Sequence, residues 1–171
     1  LRTWGLADER RFWGDRLYWG PFLIFSVTMF GYWLAPISTA ILVILWDHQH
    51  SIMQQHGFAR IYDFRGRTGL SSTGWWDLLL GWLLFGHMLL SSPMFVFPLV
   101  RELHRLRLPI SAEVVQGVVL ASRWVLIVYL LLYLGHLIVT VRRGGSLNPV
   151  KYLFLGASYF LWYFCAWHTA S

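Results

Sequence analysis

From Pro21 to Trp46 the chain runs apolar without a single charged residue, and three later stretches repeat the pattern. An apolar helix of roughly 20 residues is long enough to cross a bilayer. The pattern therefore predicts an all-α, polytopic integral membrane protein with about four transmembrane helices, at about 21–46, 75–100, 124–141 and 150–167. Residues 1–20, LRTWGLADERRFWGDRLYWG, mix arginines with tryptophans and a tyrosine. They predict an interfacial helix feeding the first span, with Asp15 a solvated partner of Arg11 or Arg16. Residues 1–171 read as a single transmembrane helical domain, taken as a portion of a longer chain.

The interruptions are as informative as the runs. Pro36 removes one helical hydrogen bond and predicts a bend in the first span. Phe58 to Gly74 is polar, basic and glycine-bearing, and predicts a loop, with Gly57 as the C-cap of the preceding helix. Within it, Asp63 lies between Arg60 and Arg65 and reads as an ion-pair partner. Arg101 to Glu113 is a second basic loop, containing a solvated His104. Val114 to Ser122, carrying Gln116, forms the entry to the third span, and Arg123 marks its boundary. GGSLNP, after Arg142 and Arg143, makes a turn, and His168 closes the fourth span at an interface. Alternation across four spans places Asp47–Gly74 and Arg142–Pro149 on one side, with His136 and Asp77 near that side. Lys and Arg divide almost evenly between the sides, so the positive-inside rule gives no orientation.

Composition agrees with the bilayer reading. The chain is 57% hydrophobic and 18% aromatic, with 13% charged residues, against about 25% charged in soluble domains. Eleven tryptophans and eight tyrosines suit aromatic belts at two interfaces. The net charge of +6 comes from dispersed arginines and one lysine. No basic stripe with interleaved aromatics lies on a polar face, which argues against nucleic acid as a partner. The charge suits anionic lipid head groups instead. Cys165 is the only cysteine, which excludes an internal disulfide and a cysteine-built zinc or iron–sulfur site.

The densest candidate chemistry follows the first apolar run, in WDHQHSIMQQHG. Three of the seven histidines fall there. On a helix Asp47, His50 and Gln54 share one face, and His48 and Gln55 share the next. His56 sits at the expected helix end. Imidazoles and carboxylates suit iron, copper, zinc or manganese, so His48, His50, His56 and His136, with Asp47 and Asp77, are the expected metal ligands. Gln54 and Gln55 would orient them. The bland alternative is a solvated helix end. Clustered histidines at the end of an apolar span, in a hydrophobic four-span body, resemble the membrane-bound fatty-acid desaturase and hydroxylase group. HQH and HxxxxxH stand here where that group has HxxxH and HxxHH. The resemblance implies a non-haem iron enzyme that oxidises a lipophilic substrate.

Two other readings stay open. Gly86-His87 and Gly135-His136 each place a histidine after a glycine in an apolar run. That form suits axial ligation of a haem or a chlorophyll-type pigment, with His87 the cofactor-binding residue. Buried mid-span ionisable groups are expensive and face a bundle interior or a cofactor; a hydrogen bond to Ser91 is the plain alternative for His87. The third reading is a structural membrane subunit whose aromatic spans pack against larger partners.

Overall fold

The computed structural model describes residues 7–70, 72–108 and 110–168. It is 88% helical, with no strand among the described residues, so the all-α expectation is met. The first six residues of the expected interfacial segment, and the side chains of Asp15 and His168, lie outside the described residues.

The helices are α1 (Ala7–Leu34), α2 (Pro36–Gly66), α3 (Thr73–Ser91), α4 (Pro93–Arg105), α5 (Ala112–Arg142) and α6 (Pro149–His168). Contacts divide the chain into two units, Leu1–Ile44 and Leu45–Ser171. In the first unit α1 is kinked at Gly14, which has a φ of 27°, and from Trp19 onward it is apolar and largely exposed on all faces. The predicted break before Pro36 is present at Ala35, where proline has no N–H to continue the ladder. Thr39 packs where a side chain at Gly31 would stand, its Oγ1 only 2.9 Å from an ideal Cβ.

The second unit holds the rest of α2 and α3–α6. α5 is one unbroken helix rather than an entry segment plus a span, and it alone among the described helices is long and apolar enough to cross a membrane by itself. The predicted span 75–100 is broken instead. Ser92, extended at φ −82° and ψ 123°, precedes Pro93, as residues before proline tend to be. α3 and α4 diverge there by 69°. The predicted loop from Phe58 is helix as far as Gly66, and the predicted cap at Gly57 is an interior position. Ile52, Ala59 and Asp63 explain this: they form a buried stripe at helical spacing that polar neighbours hide. Likewise α4 continues to Arg105, through the start of the second predicted loop.

Two apolar clusters hold these elements together. Ile52, Phe85 and Met88 pack with Trp162 and Tyr163, while Leu80, Tyr129 and Tyr133 pack with Trp76, Tyr152 and Tyr159. The two connections expected to share a side do meet. Gly69 N–H donates to the Ser146 carbonyl at 3.1 Å, and the Asn148 side-chain amide donates to the Tyr62 carbonyl at 3.0 Å. Gly69 has a φ of 76° and lies so close to Asp63 that a Cβ would stand 3.4 Å from Oδ2. Gly69→Ala is expected to lower stability by about 1–2 kcal/mol, the cost of a left-handed non-glycine residue. Gly86→Ala, in a helix with open space around it, is expected to leave stability unchanged or raise it by up to about 1 kcal/mol. Denaturant unfolding of the purified variants compares the two; equal costs would contradict the turn geometry.

Candidate functional site: a buried charge network

The most concentrated polar chemistry lies where α2, α3, α5 and α6 meet, and Lys151 is its centre. Its side chain is 0% exposed. Its Nζ donates to Asp63 Oδ2 at 3.0 Å and to Asp77 Oδ2 at 3.1 Å, and it sits 4.5 Å over the Tyr152 ring. Arg60 Nη2 pairs with the same two carboxylate oxygens. Tyr133 donates its hydroxyl to Asp77 Oδ1 at 2.5 Å, within the range of charge-assisted O–H···O⁻ bonds. Thr68 donates to Asp63 Oδ1 at 3.0 Å. Two cations and two carboxylates sum to zero, as desolvated charges require.

Local sequence builds each position. Arg60 and Asp63 are three apart on α2 and share a face. Gly74, at the start of α3, leaves room for the guanidinium: a Cβ there would come within 3.0 Å of Arg60 Nη1. Asp77 is the fifth residue of α3, one turn in from its start. Lys151 is the third residue of α6, an end that disfavours a cation, so it depends on the two aspartates. The same side of α5 presents Tyr129, whose hydroxyl donates to the Trp76 carbonyl at 2.8 Å.

The expected metal ligands do not converge. Among the described residues, no three His, Cys, Asp or Glu side chains are grouped as a metal ion would need. His48 is half-buried, stacked on Phe85 with centroids 4.6 Å apart and edge-on to Phe95 and Trp162. His50 is exposed, with Nε2 2.7 Å from the Gln54 amide nitrogen. His56 is half-buried beside the charge network. His136 stacks on Trp76 at 4.9 Å and lies 3.3 Å from the Thr73 hydroxyl. Asp47 is exposed, and Asp77 is committed to Arg60, Lys151 and Tyr133. The positions His48, His50 and His56 diverge because α2 stays helical past them. His87 bonds across to α5: its Nδ1 is 2.9 Å from Ser122 Oγ, whose hydroxyl donates to the Val119 carbonyl. Ser91 donates to the His87 carbonyl, not to its ring.

Spacing had marked Asp77 and, as an ion-pair partner, Asp63, but had missed Lys151 and Tyr133. The available signal was that Lys151 is the only lysine among fourteen cationic side chains, set just inside an apolar helix. Among the described residues, four side-chain atoms are enclosed without a hydrogen-bond partner: Gln55 Oε1, His56 Nδ1, Arg60 Nε and Tyr152 OH. Compared with protein-family models, curated proteins and solved structures, the chain matches none.

Lys151→Met is expected to cost about 3–5 kcal/mol, because it leaves the aspartates with too little positive charge. Tyr133→Phe removes one bond to a charged acceptor and should cost about 1.5–3 kcal/mol. Thermal or denaturant unfolding ranks them; a Lys151→Met loss below that of Tyr133→Phe would overturn this account. Burial, then the Arg60 guanidinium, holds the His56 pKa below its usual 6.5, with Asp77 opposing and Lys151 reinforcing. Folded His56 thus binds a proton less readily than the unfolded chain does. Stability from this group is present above pH 6.5 and is lost as pH falls through that value toward the folded pKa. His56→Gln should flatten the decline in melting temperature between pH 7 and pH 5; an unchanged slope would remove His56 from the account.

Proposed function

We propose that this chain is an integral membrane subunit whose role is structural, with the charge network acting as an internal clamp that fixes four helical segments. The observation that carries the proposal is the reversed polarity of α5. Its buried stripe is Leu126, Tyr129, Tyr133 and Thr140, three of which bear hydroxyls. Its exposed surface is dominated by Leu, Val and Ile, with Leu131 65% and Leu132 55% exposed, and the exposed Glu113, Gln116, Arg123 and Trp124 fall in its N-terminal half. Of its most apolar window only 22% is buried, whereas the core helix of a soluble domain hides its apolar face. Exposed apolar surface on this scale needs lipid or a partner to cover it. Apolar α1 extends that argument to the first unit, and the broken α3–α4 pair fits a bent span or a re-entrant segment.

The clamp reading follows from satisfaction. Each of the four charges has an oppositely charged partner, and the histidines at 48, 50, 87 and 136 are all engaged by rings, hydroxyls or an amide. A non-haem iron enzyme needs ligands that converge with open positions, and the described residues offer no such set. A second reading, a small polar ligand at the rim of the network, is favoured by the four enclosed atoms without partners. They comprise a donor on Arg60, an acceptor on Gln55 and two groups, on His56 and Tyr152, able to play either part.

Membrane fractionation with elemental analysis and an absorption spectrum tests the proposal. The chain is expected to resist alkaline carbonate extraction and to purify with less than a tenth of an equivalent of iron and no haem or chlorin band. His50→Ala should change none of this. One equivalent of iron, lost in His50→Ala, would reinstate the oxidative enzyme and end the scaffold proposal.

A further inference from the structure

On the other side of the α3–α4 break lies a pocket whose lining contains only leucine, valine and isoleucine. It is a half-open pocket of about 180 Å³ between the end of α3, α4 and the first turns of α5, with Leu90, Leu99, Val100, Ile110, Val115 and Val118 among its walls. The break at Ser92–Pro93 creates it, because α4 swings 69° away from α3. A closed apolar cavity of about 150 Å³ takes a small apolar guest; this pocket has the same lining and size but is open at one side, which suits a segment of hydrocarbon chain that enters from outside.

Its two ends differ. The inner end is near the His87–Ser122 hydrogen bond: Leu90 is one turn past His87, and Val119, which also lines the pocket, accepts the Ser122 hydroxyl. Next in sequence to the lining residues at the other end are two exposed arginines, Arg101 directly after Val100 and Arg107 three before Ile110. Arg105 is engaged by Glu102 through bonds of 2.9 and 2.5 Å. Glu113 is the other carboxylate of this region, so three arginines face two acids and a net positive charge remains. Arg107 has a φ of 59°, in a turn closed by the Leu108 N–H bond to the Leu103 carbonyl at 2.9 Å.

We propose that this pocket seats one acyl chain of an anionic phospholipid, with the head group against Arg101 and Arg107 and the chain running inward between α4 and α5. The apolar lining takes the hydrocarbon, and the surplus positive charge at the mouth selects the head group. The proposal rests on the membrane reading above, and carbonate extraction of the chain without detergent would defeat that reading separately.

Native mass spectrometry of the detergent-purified chain, mixed with equal amounts of phosphatidylglycerol or phosphatidylcholine of the same acyl composition, is the test. Wild type is expected to retain phosphatidylglycerol roughly thirtyfold better, about what two arginines near a head group supply. Arg101→Gln with Arg107→Gln should abolish the preference while leaving retention of phosphatidylcholine unchanged. Val115→Trp, which fills the pocket, should abolish retention of both lipids with helicity by circular dichroism preserved. Val118→Phe is the smaller substitution if the tryptophan variant does not fold. Equal retention of the two lipids by wild type, or undiminished retention in a folded pocket-filled variant, would overturn the proposal.

Discussion

An ammonium group with no access to solvent, placed at the wrong end of a helix, is the constraint on which the second unit depends. Taking Lys151 out of water costs several kcal/mol even after relaxation, and the N-terminal dipole of α6 adds to that cost. A single carboxylate at 3 Å returns about 5 kcal/mol at an effective dielectric of 20, which no more than offsets the desolvation. Two carboxylates are needed, and they come from α2 and α3. Those carboxylates carry desolvation costs of their own, which Arg60, Tyr133 and Thr68 help to offset. The result ties four helical segments through one neutral knot. No member can be removed without stranding another, so the knot fixes register where apolar packing alone would tolerate sliding.

That knot makes sense of the polarity of α5. A helix that is apolar nearly all the way round has no wet side and dry side to orient it, so its rotation has to be set by the few groups that form directed bonds. Tyr129, Tyr133 and His136 lie on successive turns and each engages the first turns of α3, at Trp76, Asp77 and Thr73. Directed polar bonds inside and undirected apolar contact outside is the arrangement expected where surroundings offer no hydrophobic gradient between helices. It also frees the outer surface of the C-terminal half of α5 to be almost wholly Leu, Val and Ile.

Much of the helical content was legible because composition and long apolar runs change slowly along the chain and tolerate local exceptions. α6 and the helical body of α5 fall where the runs place them, and the Pro36 break was readable from one residue. The Ser92 break carried an equal signal, a serine pair before Pro93, but it lay inside a run apolar enough to mask it. The predicted loop at Phe58–Gly74 failed for the opposite reason. Arg60, Asp63 and Arg65 make that stretch look solvated, yet Asp63 is buried, and beside its local partners Arg60 and Thr68 it meets Lys151 on α6, eighty-eight residues away. Long-range compensation of this kind leaves no local periodicity. Tyr133 was hidden similarly, since an aromatic in an apolar run reads as packing until its hydroxyl is seen to meet Asp77.

The histidine cluster shows how much one boundary can carry. Residues two apart on a helix point about 200° from each other, so His48 and His50 can share a metal only where the backbone leaves the helix. The expectation that His56 joins them rested in turn on α2 ending at Gly57, with His56 on a turn. α2 instead continues to Gly66, because Ile52, Ala59 and Asp63 keep the helical face buried past the glycine. Once the helix persists, His48 is carried onto Phe85, His50 is turned to the surface and His56 toward Arg60. The three rings are separated by the same periodicity that delivers Arg60 and Asp63 to Lys151. One helix cannot present both constellations, and the residues that favour burial select the ionic one.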